Sequence, residues 1–235
     1  MVDNLQAFLS QHNLYFRNHA LLRQALTHRS FLNEQEDSNL RDNERLEFLG
    51  DAVLDFVITR VLFDQFPVMP EGELTRLRAA LVRTDMLAEV AAEIGLGDVL
   101  WVGRGEEVTG GRKRRNLLAD SLEALLGALY LDQGVEAVAD FIVPRLMPKV
   151  DYILAEGLHI DARSKLQEWS QAVQAETPVY QVIAEEGPDH EKAFTVEVLI
   201  HEQVIGVGQG ASKQQAAQAA ARAALKALEA GQPLP

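Results

Sequence analysis

Asn43-Glu44-Arg45-Leu46-Glu47-Phe48-Leu49-Gly50-Asp51-Ala52-Val53-Leu54-Asp55 is a stretch with two opposed faces. At about 100° per residue, Glu44, Glu47 and Asp51 fall within an arc of about 60°, while Leu46, Leu49, Val53 and Val57 cluster on the far side. The spacing predicts a helix whose aliphatic stripe enters a core and whose carboxylates crowd the opposite face. A second such helix is predicted over residues 116–131. There Leu118, Leu122, Leu125 and Leu129 form the buried stripe, and Asp120 and Glu123 project from the other side. Ala124 and Gly127 share that polar face, and small residues beside acids leave room for something bulky to approach.

Beyond these two helices, apolar spacing is mostly helical from Leu5 to Leu154, interrupted by Pro67 and Pro70, by the glycine-bearing stretch 95–111, and by Pro144 and Pro148. From Pro178 the texture changes. Residues 179–185, 193–200 and 203–207 are short β-branched runs, flanked by helical patterns at 162–174 and 212–228, with Ser212 as the N-cap of the last. The fold expected is an all-α domain over 1–156, a connector at 157–161, and a small α+β domain of order α-β-β-β-α over 162–231.

The chain has no cysteine, which excludes disulfides, thiolate metal sites and cysteine nucleophiles. The first residues lack a signal-peptide pattern, and no run approaches the roughly 18 apolar residues of a membrane span. A cytoplasmic protein with no membrane partner is expected. The net charge of −13 argues on composition alone against a nucleic-acid partner. Splitting the chain does not change the sign: residues 1–158 hold 16 Lys+Arg against 25 Asp+Glu, and residues 159–235 hold 6 against 10. Any nucleic-acid reading therefore rests on where individual charges sit.

Acids on one helix face are ordinarily a solvated surface. Here like charges at i, i+3 and i, i+4 repel, and Arg45 is the one cation within the first cluster. A divalent ion offsets such crowding, and oxygen-only ligands favour magnesium over zinc. If both helices face one cleft, the ion can polarise a phosphate and ionise a water, which is phosphodiester hydrolysis.

The run Asn43–Asp51 resembles the signature of the bacterial ribonuclease III family. Leu117-Leu118-Ala119-Asp120-Ser121-Leu122-Glu123-Ala124-Leu125-Leu126-Gly127-Ala128 resembles that family's second catalytic helix, and the C-terminal part resembles a double-stranded-RNA-binding domain. The resemblance implies a homodimeric endonuclease of double-stranded RNA, with magnesium as cofactor and manganese as the alternative ion. Its products would carry 5′-phosphate and 3′-hydroxyl ends, and its substrates would include structured RNAs such as ribosomal RNA precursors. Carried over by position, Glu47, Asp51, Asp120 and Glu123 match the metal-binding acids, with Asp51 and Glu123 also catalytic. Glu44 and Glu71 match two further acids of the cleft, Glu73 being a rival for the second. Asp55, one turn beyond Asp51, matches no requirement and is read as a surface acid.

Phe48 lies on the carboxylate side of its helix. It is either the dimer contact implied by the resemblance or a core aromatic on a slightly rotated helix. Arg104 and the Gly110–Arg115 run, with Arg112 and Arg115, either track phosphates or balance nearby acids. His28, in Thr27-His28-Arg29-Ser30, is either a general base or a hydrogen-bonded structural residue. In the second domain Lys165, Gln167 and Glu168, then His190 in the turn at 187–192, then Ser212 and Lys213 are the candidate RNA contacts, since A-form duplex is recognised by shape across two minor grooves. Trp169 reads as core. The lysine cluster usual at the last helix is reduced to Lys213, so a shallow salt dependence is expected. Two rival readings are a non-catalytic RNA-binding protein and a phosphohydrolase of small nucleotides.

Overall fold

The computed structural model describes residues 2–34, 40–157, 159, 161–187 and 192–229. The chain divides into two compact units, residues 1–155 and 156–235. Leu158 and Ile160, in the expected connector, lie outside the described residues. Among the described residues no helix is long and apolar enough to cross a membrane.

The first unit is helical: α1 (Val2–Gln11), α2 (His19–Ala25), α3 (Arg29–Leu32), α4 (Glu44–Gln65), α5 (Glu71–Val82), α6 (Thr84–Glu93), α7 (Arg104–Val108), α8 (Arg115–Gln133), α9 (Val135–Leu146) and α10 (Val150–Ala155), with short 3-10 turns between some of them. Helix α8 is the axis. Leu117, Leu118, Leu122, Leu125, Leu126 and Leu129 are all buried, and each such leucine contributes about 1.5–3 kcal/mol of transfer free energy. Helices α2, α4, α6 and α9 pack around it.

Contact between α4 and α8 is close because each presents a glycine to the other. A Cβ on Gly50 would stand 1.7 Å from the Glu123 carbonyl oxygen, and one on Gly127 would stand 2.2 Å from that of Leu46. This corrects the expectation for the polar face of α8. Ala124 and Gly127 are buried, and the bulky neighbour they admit is α4 itself. Two smaller expectations also change. Pro144 does not end its helix but sits inside the last turn of α9. The glycine-bearing stretch 95–111 does not simply interrupt the helical pattern, since part of it folds into α7 and the basic run enters a 3-10 turn at Gly111–Lys113.

The second unit carries α11 (Ala162–Gln174), β1 (Val179–Glu186), β2 (Ala193–Ile200), β3 (Gln203–Gly210) and α12 (Lys213–Glu229). The sheet is antiparallel in the order β1-β2-β3, the expected α-β-β-β-α arrangement. Leu166, Val196, Val198, Ile200 and Ile205 pack with the alanine face of α12, and Trp169 lies against this core as expected. Strand β3 runs three residues beyond the expected end because Gly208 and Gly210 are strand residues. A Cβ on Gly206, Gly208 or Gly210 would approach the α12 backbone to 2.4, 2.1 and 2.6 Å. Alternate glycines let the strand lie directly on the helix.

Candidate active site

The two acid-bearing faces meet. The Asn43 carbonyl accepts the N–H groups of Leu46 and Glu47 at 2.9 Å, starting α4 at the edge of a cleft of about 390 Å³. His28, Arg29, Asn43, Glu44, Glu47, Leu117, Asp120 and Ser121 line it. Glu47 of α4 and Asp120 and Glu123 of α8 each bring a carboxylate oxygen to within 4.8 Å of the others. At that separation two unit charges repel by about 1 kcal/mol in water and by about 3–4 kcal/mol at an effective dielectric of 20.

The chain relieves this strain through protonation. Burial, then the charges of Asp51, Asp120, Glu47 and Asp55, push the Glu123 carboxyl up to about 8. Burial and the Asp120, Glu44 and Asp51 charges raise Glu47, and burial raises Asp120. Asp51 is exposed and acts on both glutamates through its charge. A set of oxygen donors that repel one another fits a hard divalent cation.

The other acids stand apart from that trio. Glu44 lines the cleft and pairs with Arg29 at 3.3 Å. Asp55 pairs with Arg78 at 3.6 Å. Glu71, in the first turn of α5 beside Glu73, is not among the residues lining the cleft, and it accepts a hydrogen bond from the Thr75 hydroxyl at 3.3 Å.

Residues 18–150 match the family model described as Ribonuclease-III-like, and residues 162–228 match the double-stranded RNA binding motif. The "Ribonuclease 3" of Roseiflexus sp. (strain RS-1) is 48% identical, the match covering 98% of this chain and 97% of that protein. That of Anoxybacillus flavithermus (strain DSM 21510 / WK1) is 47% identical over 94% and 93%. The chain belongs to the ribonuclease III family. A crystal structure of the Campylobacter jejuni ribonuclease III nuclease domain superposes with a TM-score of 0.56 at 38% identity, covering 62% of this chain and 95% of that one. A second structure of that domain, whose subject is flexibility in the region involved in dimer formation, gives 0.55 at 38%, covering 60% and 94%. The nuclease family and the RNA-binding motif together make this chain an endonuclease of double-stranded RNA.

For a ribonuclease III the cationic residues are unevenly free. Arg112 turns inward, donating to the Gly97 and Leu100 carbonyls and to Glu107. Its guanidinium has a structural task, satisfying carbonyls of the preceding 3-10 turn and of its C-cap Leu100. Arg115 pairs with Asp85 at 3.3 Å and Arg114 with Glu106 at 2.6 Å, and both side chains stay exposed. Arg104 is exposed.

In the second unit Lys165, Gln167 and Glu168 share the exposed side of α11, Lys165 reaching Glu229 at 3.7 Å. His190 lies outside the described residues. Lys213 is held by Glu185 at 2.7 Å and sits over the Phe194 ring. Ser212 Oγ accepts from Gln215 N–H, and Gln215 Oε1 accepts from Ala211 N–H. Helix α12 therefore opens on a Ser212 cap, with the Gln215 side chain reaching back to the residue before it, and one of its first-turn N–H groups is already taken.

Phe48 is 82% exposed, which removes the core-aromatic reading. Phe56, Phe63 and Val68 are exposed further along the same helix and just beyond it. Two cleft residues were not singled out from sequence. Asn43 is buried with its N–H donated to the Thr27 carbonyl, and Ser121 is buried with a hydroxyl that finds no partner among the described residues. Ser121 adjoins Asp120 in the chain, but a serine among leucines carries no periodic signal.

Proposed function

We propose that this ribonuclease III is a cytoplasmic, magnesium-dependent homodimer that hydrolyses structured duplex RNAs, ribosomal RNA precursors among them, to 5′-phosphate and 3′-hydroxyl ends. The observation that carries the reading is the convergence of Glu47, Asp120 and Glu123 oxygens within 4.8 Å, with the Asp51 charge beside them. Glu47, Asp51, Asp120 and Glu123 hold the ion, with manganese as a substitute. When bound, the ion polarises the scissile phosphate and makes water acidic enough to attack at neutral pH.

The chain does the rest. Glu123, its carboxyl raised to about 8 without metal by burial and neighbouring acids, would release its proton to solvent on binding a divalent ion. Arg29 keeps Glu44 at the cleft edge, where it meets the incoming backbone. Glu71 acts from the valley that two subunits build, because it lies off the cleft of a single chain. The exposed Phe48, Phe56 and Phe63 form an aromatic stripe of a kind that monomers rarely leave uncovered, and it supports pairing through α4. Exposed Lys165, Gln167, Glu168 and Arg104, together with His190 and Lys213, contact the RNA, and pair formation gives two centres for two strands.

The deciding experiment is Glu123→Gln with magnesium and labelled duplex RNA. Cleavage is lost and binding retained. A wild-type protein that binds duplex without cutting it is a binding protein instead, and one that hydrolyses nucleotides but not duplex is a phosphohydrolase.

A further inference from the structure

The backbone around the cleft fixes where the proton of His28 resides. Thr27 pairs with Trp101, and the Asn43 N–H donates to the Thr27 carbonyl, which holds the His28 segment beside the head of α4. His28 then caps α3: the Ser30 N–H donates to Nδ1 at 3.2 Å. A backbone N–H can only donate, so Nδ1 is an acceptor and carries no proton. Ser30 Oγ accepts from the Gly103 N–H at 2.9 Å and lies 2.7 Å from Nδ1, so the hydroxyl hydrogen points at the same nitrogen.

Both donors saturate Nδ1, and the ring proton belongs on Nε2. Burial, helped by the Arg29 and Arg114 charges, outweighs the opposing pull of Glu106 and Glu44 and lowers the ring's affinity for a second proton. His28 lines the cleft. With Nδ1 turned to Ser30, the edge left to face that space bears the Nε2–H, which has no acceptor among the described residues.

A carboxylate wall repels the anionic phosphate it must receive, and a fixed neutral donor in that wall can meet an anionic oxygen. We infer that His28 is a catalytic residue of this ribonuclease III, its Nε2–H donating to a non-bridging oxygen of the scissile phosphate, with Ser30 and Gly103 as positioning residues that hold the tautomer. The inference rests on the cleft being the place of RNA cleavage. It excludes the general-base role, since the ring's accepting nitrogen is already taken. The buried Ser121 hydroxyl in the same wall, without a partner among the described residues, supplies a second unspent donor.

Two substitutions separate donor from cap. His28→Asn places an amide oxygen near the Nδ1 position, so it keeps the Ser30 cap and removes the Nε2–H; His28→Gln keeps a donor near Nε2 and gives up the cap. The full-length His28→Asn variant is expected to melt with wild type and bind duplex RNA within about twofold, yet to cleave about 10²-fold more slowly in single turnover, as when one preorganised donor is removed. His28→Gln recovers rate at lower thermal stability. A phosphorothioate at the accepting oxygen slows wild type and adds little to His28→Asn. Independently of activity, ¹⁵N NMR of the histidine-labelled, metal-free protein is expected to find the His28 proton on Nε2. His28→Asn cutting at the wild-type rate, or a proton on Nδ1, overturns the inference alone. Wild type that binds duplex RNA without cutting overturns the nuclease reading, and the inference with it.

Discussion

Gly50→Ala is the smallest change that tests how the site is assembled. The added Cβ would stand 1.7 Å from the Glu123 carbonyl oxygen and 3.0 Å from the Gly127 nitrogen. Real Cβ contacts do not fall below 3.0 Å, so the helices must separate or slide by roughly 1.3 Å at the point where α4 and α8 cross. Neither partner is a flexible side chain, so nothing local can yield. Overpacking of this kind costs about 1–3 kcal/mol, and a clash of backbone with Cβ belongs at the upper end. A loss of about 3 kcal/mol lowers the melting temperature of a unit this size by about 6–12 °C.

The clash is with the carbonyl of Glu123 itself, so Glu123 and Asp120 move away from Glu47. A shift of about 1 Å in reacting groups costs on the order of 10²-fold in rate. Calorimetry and single-turnover cleavage below the melting transition read the two effects separately. Gly105→Ala is the control: nothing lies within 4 Å of the added methyl, and in the exposed helix α7 it is expected to be neutral or to stabilise by up to about 1 kcal/mol. If Gly50→Ala melts and cleaves like wild type, the account of the site as set by glycine contact is wrong.

Three further outcomes are expected. Without metal, the folded protein keeps a proton on Glu123 up to about pH 8, whereas an ordinary glutamate loses it near 4.5. The unfolded chain thus binds fewer protons in that window, and stability falls as pH rises from about 4.5 to 8. Urea titrations of metal-free Glu123→Gln should give a flatter profile, and magnesium should restore wild-type stability at pH 8; identical profiles for the two proteins would contradict the assigned burial. Freeing Lys213 by Glu185→Gln should tighten duplex binding and steepen its salt dependence by about one phosphate contact, an expectation that an unchanged slope between two salt concentrations rejects. Phe48→Glu puts a charge in the aromatic stripe, so sedimentation should report a dimer for wild type and monomers for the variant. A dimer that persists at micromolar concentration would move the subunit interface elsewhere.

Much of this molecule was legible in its sequence for a simple reason: helical and strand periodicities are local, and acids opposite a leucine stripe must face away from the core that the stripe builds. That gave α4 and α8 with their carboxylates, the α-β-β-β-α unit with its first helix and second strand at their observed bounds, and the charge crowding that calls for a cation. Tertiary structure alone decided what pairwise approach decides. Gly127 does not open space for a ligand but admits α4, and Gly208 and Gly210 read as loop residues until α12 is laid across them. Arg112 becomes structural and Lys213 paired because carbonyls and acids distant in sequence reach them first. Local pattern specifies which face a side chain takes; only packing specifies what meets it there, and hydrogen-bond and charge energies are set by that meeting.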